Sequence, residues 1–171
     1  MGVVNAAVLA NHLSMRLFRI GRLQFCMTGA CVDIPAKGIR VGDPVMDVHI
    51  PAGRPFSLQD CLESFRRAEE FFATYFPEYQ YCYYTCFSWL LDDGLQQFLK
   101  EDSNIRQFQT LFEVVHKRKQ DSILHFVFQY GIKSREELKA CVPQTSFAKK
   151  VKEYALSEGD FYNVLGVRQK C

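Results

Sequence analysis

The sequence predicts an α/β (α+β) domain whose mixed central sheet is flanked by helices. Three observations carry this. Segments of period-two alternation take turns with segments of helical period, and a strand–helix–strand unit precedes what reads as a strand hairpin, so parallel and antiparallel pairing must coexist. The chain has 171 residues, the length of one hydrophobic core. Its composition, 48% hydrophobic and 23% charged, is that of a globular protein and excludes a disordered one.

Taken in order, residues 1–15 read as a small-residue helix with Val4, Val8 and Leu9 on one side, too weakly apolar to stand alone. Residues 17–27 alternate as one half-buried strand. Leu23, Phe25 and Met27 share a face, Arg22 and Gln24 the other, and Gly21 marks a bulge or a close backbone approach. Residues 28–44, punctuated by Gly29, Pro35, Gly38, Gly42 and Pro44, read as turns and short extended pieces. Residues 45–50 form a short strand ended by Pro51. The clearest helix follows: Ser57 is its N-cap, Asp60 stands at N3, and Leu58, Cys61, Leu62, Phe65, Ala68, Phe72 and Tyr75 recur at helical spacing until Pro77 stops it.

Residues 79–91 read as a long central strand, because neither face is polar. Asp92-Asp93-Gly94 ends it and opens a short helix through Leu95, Phe98 and Leu99. Ser103-Asn104 caps another helix, carrying Ile105, Phe108, Leu111 and Phe112. Two strands at residues 112–115 and 122–128, joined by a polar turn at 116–121, close the sheet. The rest of the chain reads as mainly helical, with one helix announced by Ser134, Glu136 and Glu137 and a second at 146–156.

Composition narrows the function. The net charge of +2, from 21 basic and 19 acidic side chains, makes no long-range field, so neither nucleic acid nor a membrane is expected as partner. Seven irregularly spaced cysteines without a C-x-x-C, and four scattered histidines, exclude a disulfide scaffold and predict no metal site; the thiols read as free and mostly buried. The first five residues lack the basic start of a secretory signal, and no apolar run approaches the roughly 18 residues of a membrane span. A cytoplasmic, reducing location is therefore expected. No P-loop, dinucleotide fingerprint, nucleophile elbow or zinc-protease motif is present. The basic residues at 116–119 and Lys149, Lys150 and Lys152 read as solvated faces.

The strand–loop–helix around Ile50 to Ser57 has binding potential. A helix N-terminus suits a phosphate, Gly53 permits close backbone approach, and Arg54 can add a charge-assisted bond. Turn geometry alone also explains the Gly and Pro residues, and Asp60 in the first turn competes for the same amides. Five blocks then occur in series: Arg19-Ile20-Gly21-Arg22-Leu23-Gln24-Phe25, Val48-His49-Ile50-Pro51-Ala52-Gly53, Phe71-Phe72-Ala73-Thr74-Tyr75-Phe76-Pro77, Ser88-Trp89-Leu90-Leu91-Asp92 and Asp102-Ser103-Asn104-Ile105. In order and spacing they resemble the bacterial acyltransferase-domain proteins with a GNAT-like C-terminal domain, over about residues 16–165.

The resemblance implies a GNAT-like fold, a mixed and mostly antiparallel central sheet flanked by helices, over residues 16–171. In that family a helical N-terminal domain precedes it, of which residues 1–15 would be a stub. It also implies acetyl-CoA or another acyl-CoA as co-substrate, without a metal. The acyl-CoA would lie between two splayed strands, here 45–50 and 79–91, with its pyrophosphate on Ile50, Gly53, Arg54 and Ser57. The superfamily's loop reads Gln or Arg, two residues, Gly, one residue, Gly or Ala. This chain keeps Gly53 but has Ile50 and Pro55 at the outer positions, and Pro55 lacks an amide. The Tyr acid of the superfamily's late helix has no counterpart near Leu111 and Phe112.

Amine acylation needs a base for the acceptor and an acid for the leaving thiolate. His49, which titrates near neutral pH, is the candidate base. Ser88 is the candidate to polarise the carbonyl or protonate the thiolate, and Arg22, Gln24 and Trp89 are candidates to line the acceptor site. Each has a structural alternative: a core histidine, a strand hydroxyl, a solvated sheet edge, a groove wall. The expected activity is acyl transfer to a small amine or amino group. The alternative is a non-catalytic domain of the same shape that binds a partner protein, a second copy as a homodimer, or the helical N-terminal domain. The ten aromatic residues among positions 71–89 motivate that alternative.

Overall fold

The computed structural model describes residues 16–128, 132 and 134–170; the helix expected at 1–15 lies outside them. Among the described residues the strands are β1 (Leu17–Ile20), β2 (Leu23–Gly29), β3 (Pro44–His49), β4 (Tyr83–Ser88), β5 (Glu113–Lys119) and β6 (Tyr162–Gln169). The helices are α1 (Leu58–Tyr75), α2 (Asn104–Gln109), α3 (Ser122–Val127), α4 (Arg135–Ala140) and α5 (Ser146–Leu156). The sheet order is β1-β2-β3-β4-β6-β5, antiparallel through β1, β2 and β3 and parallel between β3 and β4, which is the mixed α/β architecture predicted. The chain forms two compact units, one ending at Cys86 and joined by the residues from Val167 onward, the other Phe87–Gly166.

In the first unit, residues 17–27 are two strands rather than one. Ile20 pairs with Leu23, so Gly21 and Arg22 make a two-residue turn, with Gly21 at φ 64°. Such a turn needs left-handed backbone, which glycine adopts at no steric cost. A two-residue turn also leaves the parity of its flanks unchanged, so the alternation runs through it without a visible break. The close approach expected at Gly21 is real: a Cβ there would stand 2.6 Å from Ser64 Oγ.

α1 begins as its sequence dictates. Ser57 Oγ accepts from the Asp60 amide and the Asp60 carboxylate accepts from the Ser57 amide, both at 3.1 Å, a reciprocal cap that contributes about 1 kcal/mol. Cys61, Ser64, Phe65, Ala68 and Phe72 form its buried stripe. The stripe lies on the sheet face that carries Phe25 and Tyr84, and the Phe65 ring meets theirs at 5.6 and 4.8 Å between centroids. Burying each such ring stabilises by about 1.5–3 kcal/mol. Tyr84 is fully buried, so its hydroxyl needs a partner and finds the Tyr81 hydroxyl at 3.0 Å.

The long strand expected at 79–91 shrinks to β4. Tyr79 stands outside it, because its hydroxyl reaches the carbonyls of Thr28 and Val45, each at 2.7 Å, and fastens β2 to β3. At the other end Trp89–Leu91 is a single 3-10 turn. The aromatics of this stretch are apolar on all sides because they pack on one another, which mimics a strand buried on both faces.

The second unit departs further from expectation. Residues 116–121 are not a turn: β5 runs through them as an exposed edge strand, with Lys117 on Asp93 at 2.5 Å and Lys119 on Asp160 at 2.6 Å. Charged side chains suit an edge because they discourage further pairing. Residues 122–128 are not a strand but α3, which buries Ile123 and Leu124; a short apolar run fits either period. β5 pairs instead with β6, which occupies a stretch read as helical. The helices expected near 134 and at 146–156 are α4 and α5, capped by Ser134 and Thr145. Their core gathers Leu95, Ile123, Leu138, Val151 and Phe161. The buried Asp92 carboxylate ties the unit together, accepting from the Gly94 and Tyr162 amides at 3.0 Å each. No described helix is long and apolar enough to cross a membrane.

Gly21→Ala is expected to lower stability by about 1–3 kcal/mol, through left-handed strain and the clash with Ser64. Urea unfolding should show a lower midpoint at unchanged slope; an unchanged midpoint would mean that the turn tolerates a side chain.

Candidate active site

Period two puts Asp47 and His49 of β3 on one sheet face, the face opposite to that covered by α1. The β2–β3 register sets Cys26 across from Asp47 and Gln24 across from His49, and the short β3–β4 ladder sets Thr85 beside Asp47. His49 Nε2 lies 3.2 Å from Asp47 Oδ2, while Asp47 Oδ1 accepts from Thr85 Oγ1 at 3.0 Å. The Cys26 thiol, on the same face, donates to the Met27 carbonyl at 3.9 Å. The His49 side chain is 44% exposed, whereas Cys26 and Thr85 are buried.

These neighbours decide the charge of the imidazole. The hydrogen bond to Asp47, then the Cys26 thiol, push the His49 pKa up to about 10 against the opposing effect of burial. A cation at neutral pH can donate a proton but cannot take one from an ammonium.

The loop after β3 is braced from beneath. Arg22 is almost wholly buried; its Nη1 donates to the Pro51 carbonyl at 2.8 Å and its Nε to the Arg54 carbonyl at 3.1 Å. The guanidinium also lies over the Phe56 ring, 5.5 Å from its centroid. Burial lowers the Arg22 pKa, and the like charges of Arg19 and Arg54 lower it further. Arg22 therefore stands under the loop and not on an open acceptor surface; Gln24 remains beside His49. Ile50 follows β3 directly, and Gly53 sits at φ 137° with open space where a Cβ would go. Arg54 is exposed and pairs with Asp60 at 3.2 Å. Ser57 and Asp60 use each other's amides, so the first turn of α1 is already capped.

Ser88 and Trp89 lie in the other unit. Ser88 Oγ accepts from the Leu90 amide at 3.2 Å, and Trp89 stacks near Phe126 and Phe147. A hollow of about 650 Å³ in that unit is lined by Asp92, Asp93, Lys117, Glu158 and Asp160 among others, and contains none of the candidate catalytic, pyrophosphate or acceptor residues. Among the described residues no cluster of His, Cys, Asp and Glu is arranged to hold a metal.

Sequence reading does not single out Asp47, Thr85 or Cys26. Asp47 had a local signal, since Asp-x-His in a strand shares a face. Thr85 and Cys26 join only through strand register.

The chain belongs to the family described as the GNAT-like C-terminal domain, which it matches over residues 17–168. Among solved structures, an acyltransferase in complex with decanoyl-CoA is 31% identical with a TM-score of 0.76, covering 91% of this chain and 46% of that one. Another, in complex with decanoyl-CoA and teicoplanin, is 27% identical with a TM-score of 0.82, covering 100% and 52%. A third, with CoA and 10C-teicoplanin, is 28% identical with the same score and coverage. The chain thus spans about half the length of these structures. No curated protein sequence matches it.

Replacing Asp47 by Asn removes the largest cause of the raised His49 pKa, which should fall from about 10 toward its ordinary 6.5; an NMR titration of the imidazole protons reads this directly. The sign for stability follows. A group whose pKa is higher folded than unfolded stabilises fully below about 6.5 and loses that contribution as pH rises to about 10. The stability advantage of the native chain over the Asn variant should shrink across that window. An unchanged His49 titration in the variant would refute the pairing.

Proposed function

We propose that this domain transfers an acyl group from acyl-CoA to an amino group, with His49 at the reacting thioester. The observation that carries the reading is the match, along nearly the whole of this chain, to acyltransferases holding decanoyl-CoA and CoA. A medium-chain acyl-CoA is accordingly the first donor to test beside acetyl-CoA. The acceptor is an amine, small or carried on a larger molecule; relatives were captured with teicoplanin. The same relatives make a non-catalytic role the less favoured reading.

In this proposal the imidazolium of His49 gives its proton to the CoA sulfur as the carbon–sulfur bond breaks. The loop at Ile50, Gly53, Arg54 and Ser57 receives the pyrophosphate. Because the capping box uses the first amides of α1, positive charge comes chiefly from Arg54, with Arg22 and Arg19 behind it, and less from the helix end. Gln24, across the ladder from His49, contacts the acceptor. For Ser88 at the carbonyl and Trp89 at the acceptor, the support is their block in the sequence resemblance. The six free cysteines of the described residues suit a reducing compartment such as the cytoplasm.

Calorimetric titration with acetyl-CoA, decanoyl-CoA and CoA tests the reading. Micromolar binding of an acyl-CoA is expected, weakened about tenfold, or about 1.4 kcal/mol, in Arg54→Ala. No heat with any of the three up to millimolar concentration would overturn it.

A further inference from the structure

The loop between β3 and α1 is not held by its own backbone: among the described residues no backbone–backbone hydrogen bond involves residues 51–55. A side chain holds it instead. Arg22 Nη1 donates to the Pro51 carbonyl at 2.8 Å and Nε to the Arg54 carbonyl at 3.1 Å, so two nitrogens of one rigid plane fix both ends of this segment. The same residue is fastened to α1 by its main chain. The Arg22 amide donates to Ser64 Oγ at 2.9 Å, and Ser64 Oγ donates to the Asp60 carbonyl at 2.6 Å. Arg22 therefore ties the loop to the first turns of α1, and at 4% exposure it does so from inside the protein.

Fixing a carbonyl also fixes the amide joined to it. In a trans peptide the N–H points opposite to the C=O, and no described peptide is cis. With the Pro51 carbonyl turned onto the buried Arg22, the N–H of the exposed Ala52 is turned outward. The Arg54 carbonyl is held in the same way, but the residue after it is Pro55, which has no N–H. At the helix itself the Ser57 amide is given to the Asp60 carboxylate and the Asp60 amide to Ser57 Oγ. Ala52 is thus an outward donor that the cap does not use. Gly53 beside it, with nothing within 4 Å of where a Cβ would stand, leaves room for a large anion. Resting on the reading that this loop receives the pyrophosphate of acyl-CoA, we propose that the Ala52 amide donates directly to that pyrophosphate and that Arg22 is the positioning residue that aims it.

Arginine suits this role because its donors are spread over a planar fork, one nitrogen for each carbonyl. Lysine keeps the charge but offers a single nitrogen, which leaves one carbonyl unheld and its peptide free to turn. A donor aimed before the anion arrives needs no reorganisation on binding. Loss of the aim therefore weakens affinity for the pyrophosphate and spares the contacts made by the rest of the ligand, whereas a merely structural fault weakens both.

The test compares decanoyl-CoA with S-decanoylpantetheine, which has the same acyl thioester but no pyrophosphate, by calorimetric titration of the native chain and of Arg22→Lys. The variant should bind decanoyl-CoA about tenfold more weakly and S-decanoylpantetheine within about twofold of the native chain. Equal losses for the two ligands would show that Arg22 only supports the fold and would overturn the proposal, as would unchanged affinity for decanoyl-CoA. A second measurement needs no variant and decides the matter where Arg22→Lys does not fold: CoA is titrated into the isotope-labelled native chain and the amide signals are followed by NMR. The Ala52 amide proton should move downfield, while those of Ser57 and Asp60, held in the cap, move less. Movement of Ser57 and Asp60 with Ala52 unmoved would overturn the proposal and put the pyrophosphate on the helix end. Bound CoA that moves none of the three would also remove the loop as the pyrophosphate site and leave acyl-CoA use standing. Failure to bind any acyl-CoA would overturn both readings.

Discussion

The packing of α1 on one face of the sheet is the constraint from which the site follows. Phe65 lies against Phe25 and Tyr84, so those strand positions must point toward the helix. Side chains alternate along a strand, and a shift of one residue would exchange every inward for every outward position. With Phe25, Met46, Val48 and Tyr84 committed to the helix side, Gln24, Cys26, Asp47, His49 and Thr85 are committed to the other. The polar groups do not need to find one another. The aromatic core excludes them from one face and so collects them on the opposite one.

Once collected, they are ordered by register. Cys26 faces Asp47 from β2 and Thr85 faces it from β4, so one carboxylate is flanked on both sides while its own strand supplies His49 two residues on. The Asp47–His49 pair is partly solvated and contributes little to stability by itself. Its consequence is chemical: it fixes the orientation of a ring and favours its charged form. The Thr85 hydroxyl is nearly buried and holds the carboxylate in place, which a solvated carboxylate would lack.

The neighbouring loop shows a second economy of charge. Arg22 is buried and partnered by backbone carbonyls rather than by a carboxylate. A buried guanidinium so held keeps its positive charge and lends it to whatever lies above the loop. The helix end, by contrast, is neutralised by Asp60. Positive charge at this place therefore comes from arginine side chains and not from the helix end.

What the sequence by itself determined are the features built from neighbours in the chain. The capping box of Ser57 and Asp60, the stripe of α1 and the shared face of Asp47 and His49 are set within a few residues, where local hydrogen bonds and side-chain period decide. The mixed α/β class was legible for the same reason. Tertiary structure decided the rest. The fold-back at Gly21 preserves parity and is invisible to alternation; it is pinned by Ser64, 43 positions away along the chain. Residues 122–128 suit either a helix or a strand and become α3 because Ile123 and Leu124 enter a core made by α4, α5 and Phe161. β6 pairs with strands far from it in sequence, and its basic neighbour β5 is a strand because an edge tolerates charge. Gln24 comes to face His49, and Cys26 Asp47, only because the connection between β2 and β3 sets their register. Contacts of this kind depend on which segments the folded chain brings together, and no window of sequence contains both partners.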